Sequence, residues 1–283
     1  MSNTHKINKI FRPKPTIEGA GVRLKRVFGN AEVPTFDPFL LLDDFHSDNP
    51  EDYFRGFPWH PHRGIETVTY MLEGKVEHGD SLGNSGIIKS GEMQWMTAGS
   101  GIVHQEMPKG NQGLMWGLQL WVNLPASHKM MKPRYRDVRA EDIPEHRSEK
   151  GIKVKVISGQ YKGLAGPVKD IICDPEYLDV SVPAGEKFEH SVKRGHTVFA
   201  YVLDGEGIFH PENKKSISRE NLVLFSDGEE VVIEASEKPL RFLLISGKPI
   251  GEPVAWYGPI VMNTEEELRL AFEEYQNGTF IKT

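Results

Sequence analysis

Three histidines and one glutamate hold the most chemistry in this chain. His60-Pro-His62 is answered further along by His104-Gln-Glu106. Strand side chains alternate faces with period two, so each of these pairs points to one side of its strand. Two such strands facing each other would bring three imidazoles and a carboxylate to a point. That donor set binds a divalent transition metal, and it leaves coordination positions open if the ion prefers five or six ligands. Either motif alone is weak evidence, because strand histidines often do no more than satisfy a local carbonyl. The joint pattern is informative because three of only 11 histidines fall in these two short segments.

The elements that must position them are strands. Gly (28) and Pro (19) punctuate short β-rich runs. Residues 20–29, 38–43 and 67–72 open the series, followed by 86–89, 91–97, 102–107 and 114–124. In the last of these Trp116, Leu118, Leu120 and Val122 alternate with Gly117, Gln119 and Trp121. Gln119 lies off the apolar face and is a candidate to reach the metal cavity. Trp95, Met93 and Met96 are candidates to wall it, against the plainer reading that they are core. Polar residues from about Arg134 to Lys150 interrupt the β pattern and read as a connector. A second series then begins at Ile152 and continues through residues 177–182, 198–203, 222–225, 231–233 and 240–245.

The two halves repeat. Val68-Thr-Tyr-Met-Leu-Glu-Gly74 resembles Phe199-Ala-Tyr-Val-Leu-Asp-Gly205, and the same register lays Arg63-Gly64 over Arg194-Gly195. His60 then falls on Ser191 and His62 on Lys193. His210 is the last histidine, so nothing stands in for His104 around residues 222–233. One half is built to hold metal and the other is not. A single helix is expected at the C-terminus. Thr264-Glu-Glu-Glu267 is a capping-box sequence, Leu268, Ala271, Phe272 and Tyr275 form one apolar stripe, and Gly278 supplies a left-handed stop. The stripe is expected to cover a sheet.

Composition narrows the classes. The 283 residues suffice for two domains, and 38% hydrophobic with 26% charged residues describe a globular protein with a real core. A net charge of −6 without a basic run argues against direct nucleic-acid binding. The first residues contain no apolar segment of a secretory signal, and no stretch approaches the roughly 20 apolar residues of a membrane span. The lone Cys173, read as a small buried residue, excludes a disulfide framework and fits a cytoplasmic location.

Taken together, these segments resemble the pirin family. The resemblance is carried by Asp37-Pro-Phe-Leu-Leu41, Phe57-Pro-Trp-His-Pro-His-Arg-Gly64, Glu66-Thr-Val68 and Gln94-Trp-Met-Thr-Ala-Gly99. It continues through Gly101-Ile-Val-His-Gln-Glu-Met-Pro108, Gly117-Leu-Gln-Leu-Trp-Val-Asn-Leu124 and Gly258-Pro-Ile-Val-Met-Asn-Thr264, so it spans almost the whole chain. It implies an all-β bicupin of two stacked antiparallel, jelly-roll-like β-barrels with a C-terminal helix. The metal-binding barrel is expected over residues 1–136, and a barrel without ligands, ending in the helix, over 137–283. It further implies one Fe(2+) per chain, other divalent transition metals being possible, on His60, His62, His104 and Glu106.

Cupins in general place the carboxylate ligand a few residues after the His-x-His, where Glu66 stands. With Glu106 in that role, Glu66 is left for a supporting hydrogen bond or a salt bridge with Arg63. The resemblance extends to quercetinases, which open the central ring of a flavonol with O2 and release carbon monoxide. Glu106 would be the catalytic base that takes the flavonol 3-hydroxyl proton, or it would only neutralise charge and tune the metal. The alternative is a non-enzymatic, iron-binding, redox-responsive regulator acting through a protein partner. A zinc hydrolase fits less well, since zinc prefers fewer ligands and a separate general base.

Overall fold

The computed structural model describes residues 4–31, 35–109, 113–212 and 215–282. The chain divides into two compact units. The metal-ligand motifs lie in the unit made of Lys14–Ala140 together with the chain from Ile250 onward. Its larger sheet has seven strands, in the order Arg134–Val138, Met93–Thr97, Ile65–Glu73, Met115–Asn123, Phe39–Ser47, Val22–Phe28 and Lys14–Glu18. Facing them is a four-stranded sheet in the order Phe57–His62, Ile102–Pro108, Lys75–Asp80 and Ser85–Lys89. All the pairings are antiparallel. The central strands of the larger sheet are buried almost end to end, which is why they read as continuous apolar runs. This is a jelly roll of two open sheets rather than a closed barrel.

The other unit comprises the N-terminal stretch to Pro13 and Glu141–Pro249. It repeats the plan, with seven strands ordered Ile7–Phe11, Leu222–Phe225, Thr197–Asp204, Leu240–Gly247, Glu176–Val182, Lys153–Ser158 and Glu145–Arg147. A four-stranded sheet follows in the order Lys187–Ser191, Glu230–Ala235, Glu206–Ile208 and Ile217–Ser218. The repeated segments ending at Gly74 and Gly205 sit third in their respective seven-stranded sheets, and both glycines have positive φ (90° and 76°). A left-handed turn at that point favours glycine, which explains why the two motifs share it.

These units differ from a division at residue 136. The first strand, Ile7–Phe11, pairs with Leu222–Phe225 and so belongs with the unit formed mainly by the second half. The last segment runs the other way. Val261 N donates to Arg63 O (3.1 Å), and the helix packs on the hairpin Ala255–Tyr257/Ile260–Met262 of the ligand-bearing unit. Gly64 makes this possible: a Cβ there would sit 1.9 Å from Val261 O. The expected connector is also different in kind. Arg134–Val138 and Glu145–Arg147 are edge strands of the two larger sheets, and edge strands tolerate charge-rich sequences.

The helix, Glu265–Gln276, carries the expected capping box at Thr264 and Glu267, and Gly278 has φ 72°. Leu268 and Ala271 are buried as anticipated, in a cluster with Ile260, Met262 and Phe280. Tyr275 is not: it is 40% exposed, with its ring edge-on to Phe280. What the helix covers is chiefly the two-stranded hairpin, and Val103 of the four-stranded sheet packs against the same cluster. Cys173 is half-buried. No helix among the described residues is long and apolar enough to cross a membrane. Leu268→Ala should lower unfolding stability by about 2–5 kcal/mol in denaturant titration, because it empties this cluster. Leu270→Ala, on the exposed side, should stay within about 0.5 kcal/mol of the parent.

Candidate metal centre

His60 and His62 come from one edge strand of the small sheet and His104 from its neighbour, in direct register with His60. The three side chains converge: one ring nitrogen of each lies within 4.8 Å of the others. His62 and His104 are buried, whereas His60 stands at the rim. Among the described residues this is the only such group.

The hydrogen bonds around the rings fix their tautomers. His60 Nδ1 lies 2.8 Å from Pro58 O, and His62 Nδ1 lies 3.1 Å from Pro259 O. A carbonyl oxygen only accepts, so each Nδ1 must carry the proton and each Nε2 must present a lone pair. Those two Nε2 atoms are 3.1 Å apart. Two facing lone pairs at that distance repel unless a cation sits between them. His104 adds two buried ring nitrogens with no hydrogen-bond partner. Burial pushes the His62 and His104 imidazoles well below their ordinary pKa, and the neighbouring imidazoles push the same way. Protons are therefore poor occupants, while a divalent ion would satisfy the facing Nε2 atoms of His60 and His62 and one ring nitrogen of His104. The residues present fit a metal.

Glu106 lies outside this three-nitrogen group. It shares a face with His104, across a register shift between positions 104 and 106, and is 4% exposed. Its Oε1 accepts from Thr69 Oγ (3.0 Å) and its Oε2 from Gln119 Nε2 (2.9 Å). Trp121 Nε1, which can only donate, occupies Gln119 Oε1 at 3.1 Å and so fixes the amide with its NH2 toward Glu106. Gln119 thus reaches the site through Glu106. Thr69 had no distinguishing pattern in the sequence, yet it stands opposite Gln119 in the sheet register. Trp95, Met93 and Met96 are fully buried and line neither of the cavities around Glu106 and the histidines, so they are core.

Glu66 does not pair with Arg63. Its Oε1 accepts from Thr97 Oγ at 2.7 Å, with Arg134 at 3.9 Å, and burial raises its pKa. Arg63 is buried as well, but turns toward the C-terminal segment. It donates to Ser100 O (2.7 Å) and Phe280 O (2.9 Å), pairs with Glu274 (2.7 Å) and packs over the Phe280 ring. His62 and Arg63 are therefore both held by residues beyond 258. His78, unremarkable in the sequence, is buried with neither nitrogen hydrogen-bonded, its Nε2 3.6 Å from Asp80, stacked on Tyr135 and 5.3 Å from the His104 ring.

A broad cavity of about 880 Å³ opens beside His60 and His62. Trp59, Trp121 and Trp256 give it aromatic walls, and Glu18, Arg26 and Asp43 give it a polar end. The volume is within the usual range for a small-molecule site.

The Pirin family model matches residues 21–122, and the model of the Pirin C-terminal cupin domain matches residues 177–281. A Pseudomonas aeruginosa protein named "Putative quercetin 2,3-dioxygenase" is 44% identical over 282 residues, covering 98% of this chain and 99% of its own. A pirin-like protein of Caulobacter vibrioides is 47% identical over 273 residues, covering 96% and 98%. A crystal structure of quercetin 2,3-dioxygenase from Acinetobacter baumannii superposes with a TM-score of 0.89 at 34% identity, covering 98% of each chain.

A divalent transition metal titrated into the protein should bind at one ion per chain. His104→Ala should abolish that binding, while His196→Ala, in the other unit, should leave it intact in calorimetry. Because the folded His62 and His104 bind protons less readily than the unfolded chain, the metal-free protein should be most stable above about pH 6.5. Its melting temperature should fall as the pH drops from there toward the lowered pKa values. His62→Gln should flatten that fall.

Proposed function

The chain belongs to the pirin family, and we propose that it is a metal-dependent dioxygenase of the quercetinase type. In this reading it opens the central ring of a flavonol with O2 and releases carbon monoxide. The observation that carries the proposal is an aromatic-walled cavity of substrate size opening onto His60 and His62, two of the three clustered histidines. A regulator that acts only through its surface has no use for such a cavity, so the cavity favours turnover over the iron-sensing alternative.

We assign His60, His62 and His104 as ligands of Fe(2+), with Glu106 completing the set. The bound ion would acidify an enol or phenol hydroxyl and give access to O2 chemistry. The remaining work falls to the protein. Trp59, Trp121 and Trp256 offer ring faces to a planar polyphenol, and the Glu18–Arg26–Asp43 group can exchange hydrogen bonds with its outlying hydroxyls. Glu106 accepts the 3-hydroxyl proton at one carboxylate oxygen. Thr69 and Gln119 present donors to that carboxylate, holding it as an acceptor until the substrate hydroxyl replaces one of them. The charge and the single cysteine support a cytoplasmic setting with small-molecule rather than nucleic-acid partners.

Iron-loaded protein given quercetin should consume O2 and release carbon monoxide. Glu106→Gln keeps the shape but cannot take the proton, so it should lose about 10²–10⁴ in kcat if Glu106 is the base. Metal content measured on the same sample separates that loss from loss of a ligand. An iron-replete Glu106→Gln protein turning over at the parent rate would remove the base role. An iron-replete parent without O2 uptake on any flavonol would remove the dioxygenase reading.

A further inference from the structure

A second, smaller cavity adjoins Glu106. It shares Asp43, Phe57 and Gln119 with the mouth and continues between Val22, Leu24, Phe45, Val76 and Met115. Its wall is overwhelmingly apolar, and the few polar groups that reach it are already engaged. Glu106 is held by Thr69 and Gln119, Asp43 takes a two-pronged hydrogen bond from Arg26 (2.9 and 2.8 Å), and Tyr53 donates to Gly113 O (3.0 Å). A buried water needs two to four polar partners, whereas apolar cavities stay dry and take apolar guests. The centre of a water-sized molecule has about 20 Å³ to move in. One water needs roughly 10–15 Å³ on that measure, so the space admits a diatomic molecule and no ring.

We propose that this compartment is a dioxygen pocket, holding O2 beside Glu106 while the mouth holds the organic substrate. The inference rests on the dioxygenase reading for the identity of the guest, and on the cavity alone for its chemistry. An aromatic substrate seated between Trp59, Trp121 and Trp256 closes the open approach to His60 and His62. A small apolar co-substrate then needs a station of its own, and the one next to Glu106 repels water and is too small for competitors.

Crystals of the metal-loaded protein pressurised with krypton test the pocket without any turnover. Krypton is expected among Val22, Leu24, Phe45 and Met115. Val76→Ile and, independently, Val22→Ile each add one methylene group to this space and keep the β-branch their strands favour. Each should displace the krypton and raise KM for O2 several-fold. Metal content, melting temperature and KM for the flavonol should not change. Absence of krypton there, while it occupies other sites in the same crystal, overturns the proposal. So does an unchanged KM for O2 in both variants. If kcat fell while KM for O2 stayed constant, the cavity would be an exit for carbon monoxide instead. If the protein consumes no O2 at all, the krypton result alone decides whether this is a gas site.

Discussion

The constraint on which the ligand-bearing unit depends is the pair of imidazole lone pairs facing each other at 3.1 Å. Backbone carbonyls of Pro58 and Pro259 commit the Nδ1 protons of His60 and His62, so neither ring can turn its donor inward. His104, buried and unpartnered, adds a third lone pair. Burying unpaired polar nitrogens costs on the order of 1–3 kcal/mol each, and mutual repulsion adds to that. The fold therefore holds an arrangement that is unfavourable in isolation, and a cation relieves it. Preorganisation of this kind makes a site selective, because the cost has been met by strand pairing before the ion arrives.

Much of the unit exists to meet that cost. The strand Phe57–His62 is an edge strand, paired on one side only, and an edge alone does not hold two histidines rigidly. The C-terminal segment supplies the missing restraint. Pro259 accepts from His62, Val261 bonds to Arg63, and each nitrogen of the Arg63 guanidinium has a partner, in Ser100, Phe280 and Glu274. A buried arginine is tolerated because its donors are paired. The last thirty or so residues thus act as the second neighbour of the ligand strand. This accounts for the crossing of the chain ends between the two units better than any boundary drawn along the sequence.

Period-two spacing exposed His60, His62 and His104, since a strand converts sequence alternation directly into a shared face. The duplicated framework was legible for the same reason: Gly74 and Gly205 end equivalent strands, and Ser191 pairs with Glu230 where His60 pairs with His104. The partner of Arg63 was not legible. Glu274 lies more than two hundred residues away, and a nearby carboxylate, Glu66, offered a local alternative that the sheet geometry rejects. The charge-rich segment from Arg134 to Lys150 misled because its two edge strands bury almost no side chain, Val138 excepted, so neither develops the apolar alternation that marks a strand. Thr69 and His78 were invisible, because a threonine or a histidine on a strand carries no spacing signal of its own.

The two units show what has to be kept for a site and what can be discarded. Both retain the same order of seven and four strands, so the framework does not require the metal. In the ligand-free unit the edge strand carries Ser191, and His190 is satisfied by Glu176 at 2.8 Å. A histidine paired with a carboxylate is an ordinary stabilising contact, and among the described residues no group of converging metal-ligating side chains lies in this unit. In the unit with the histidine cluster Glu106 is instead tied by Thr69 and Gln119, and the Nε2 atoms of His60 and His62 face each other with no carboxylate between them. The difference between His190 and the converging histidines of this molecule is therefore whether a carboxylate faces the ring nitrogen, not the strand that carries the ring.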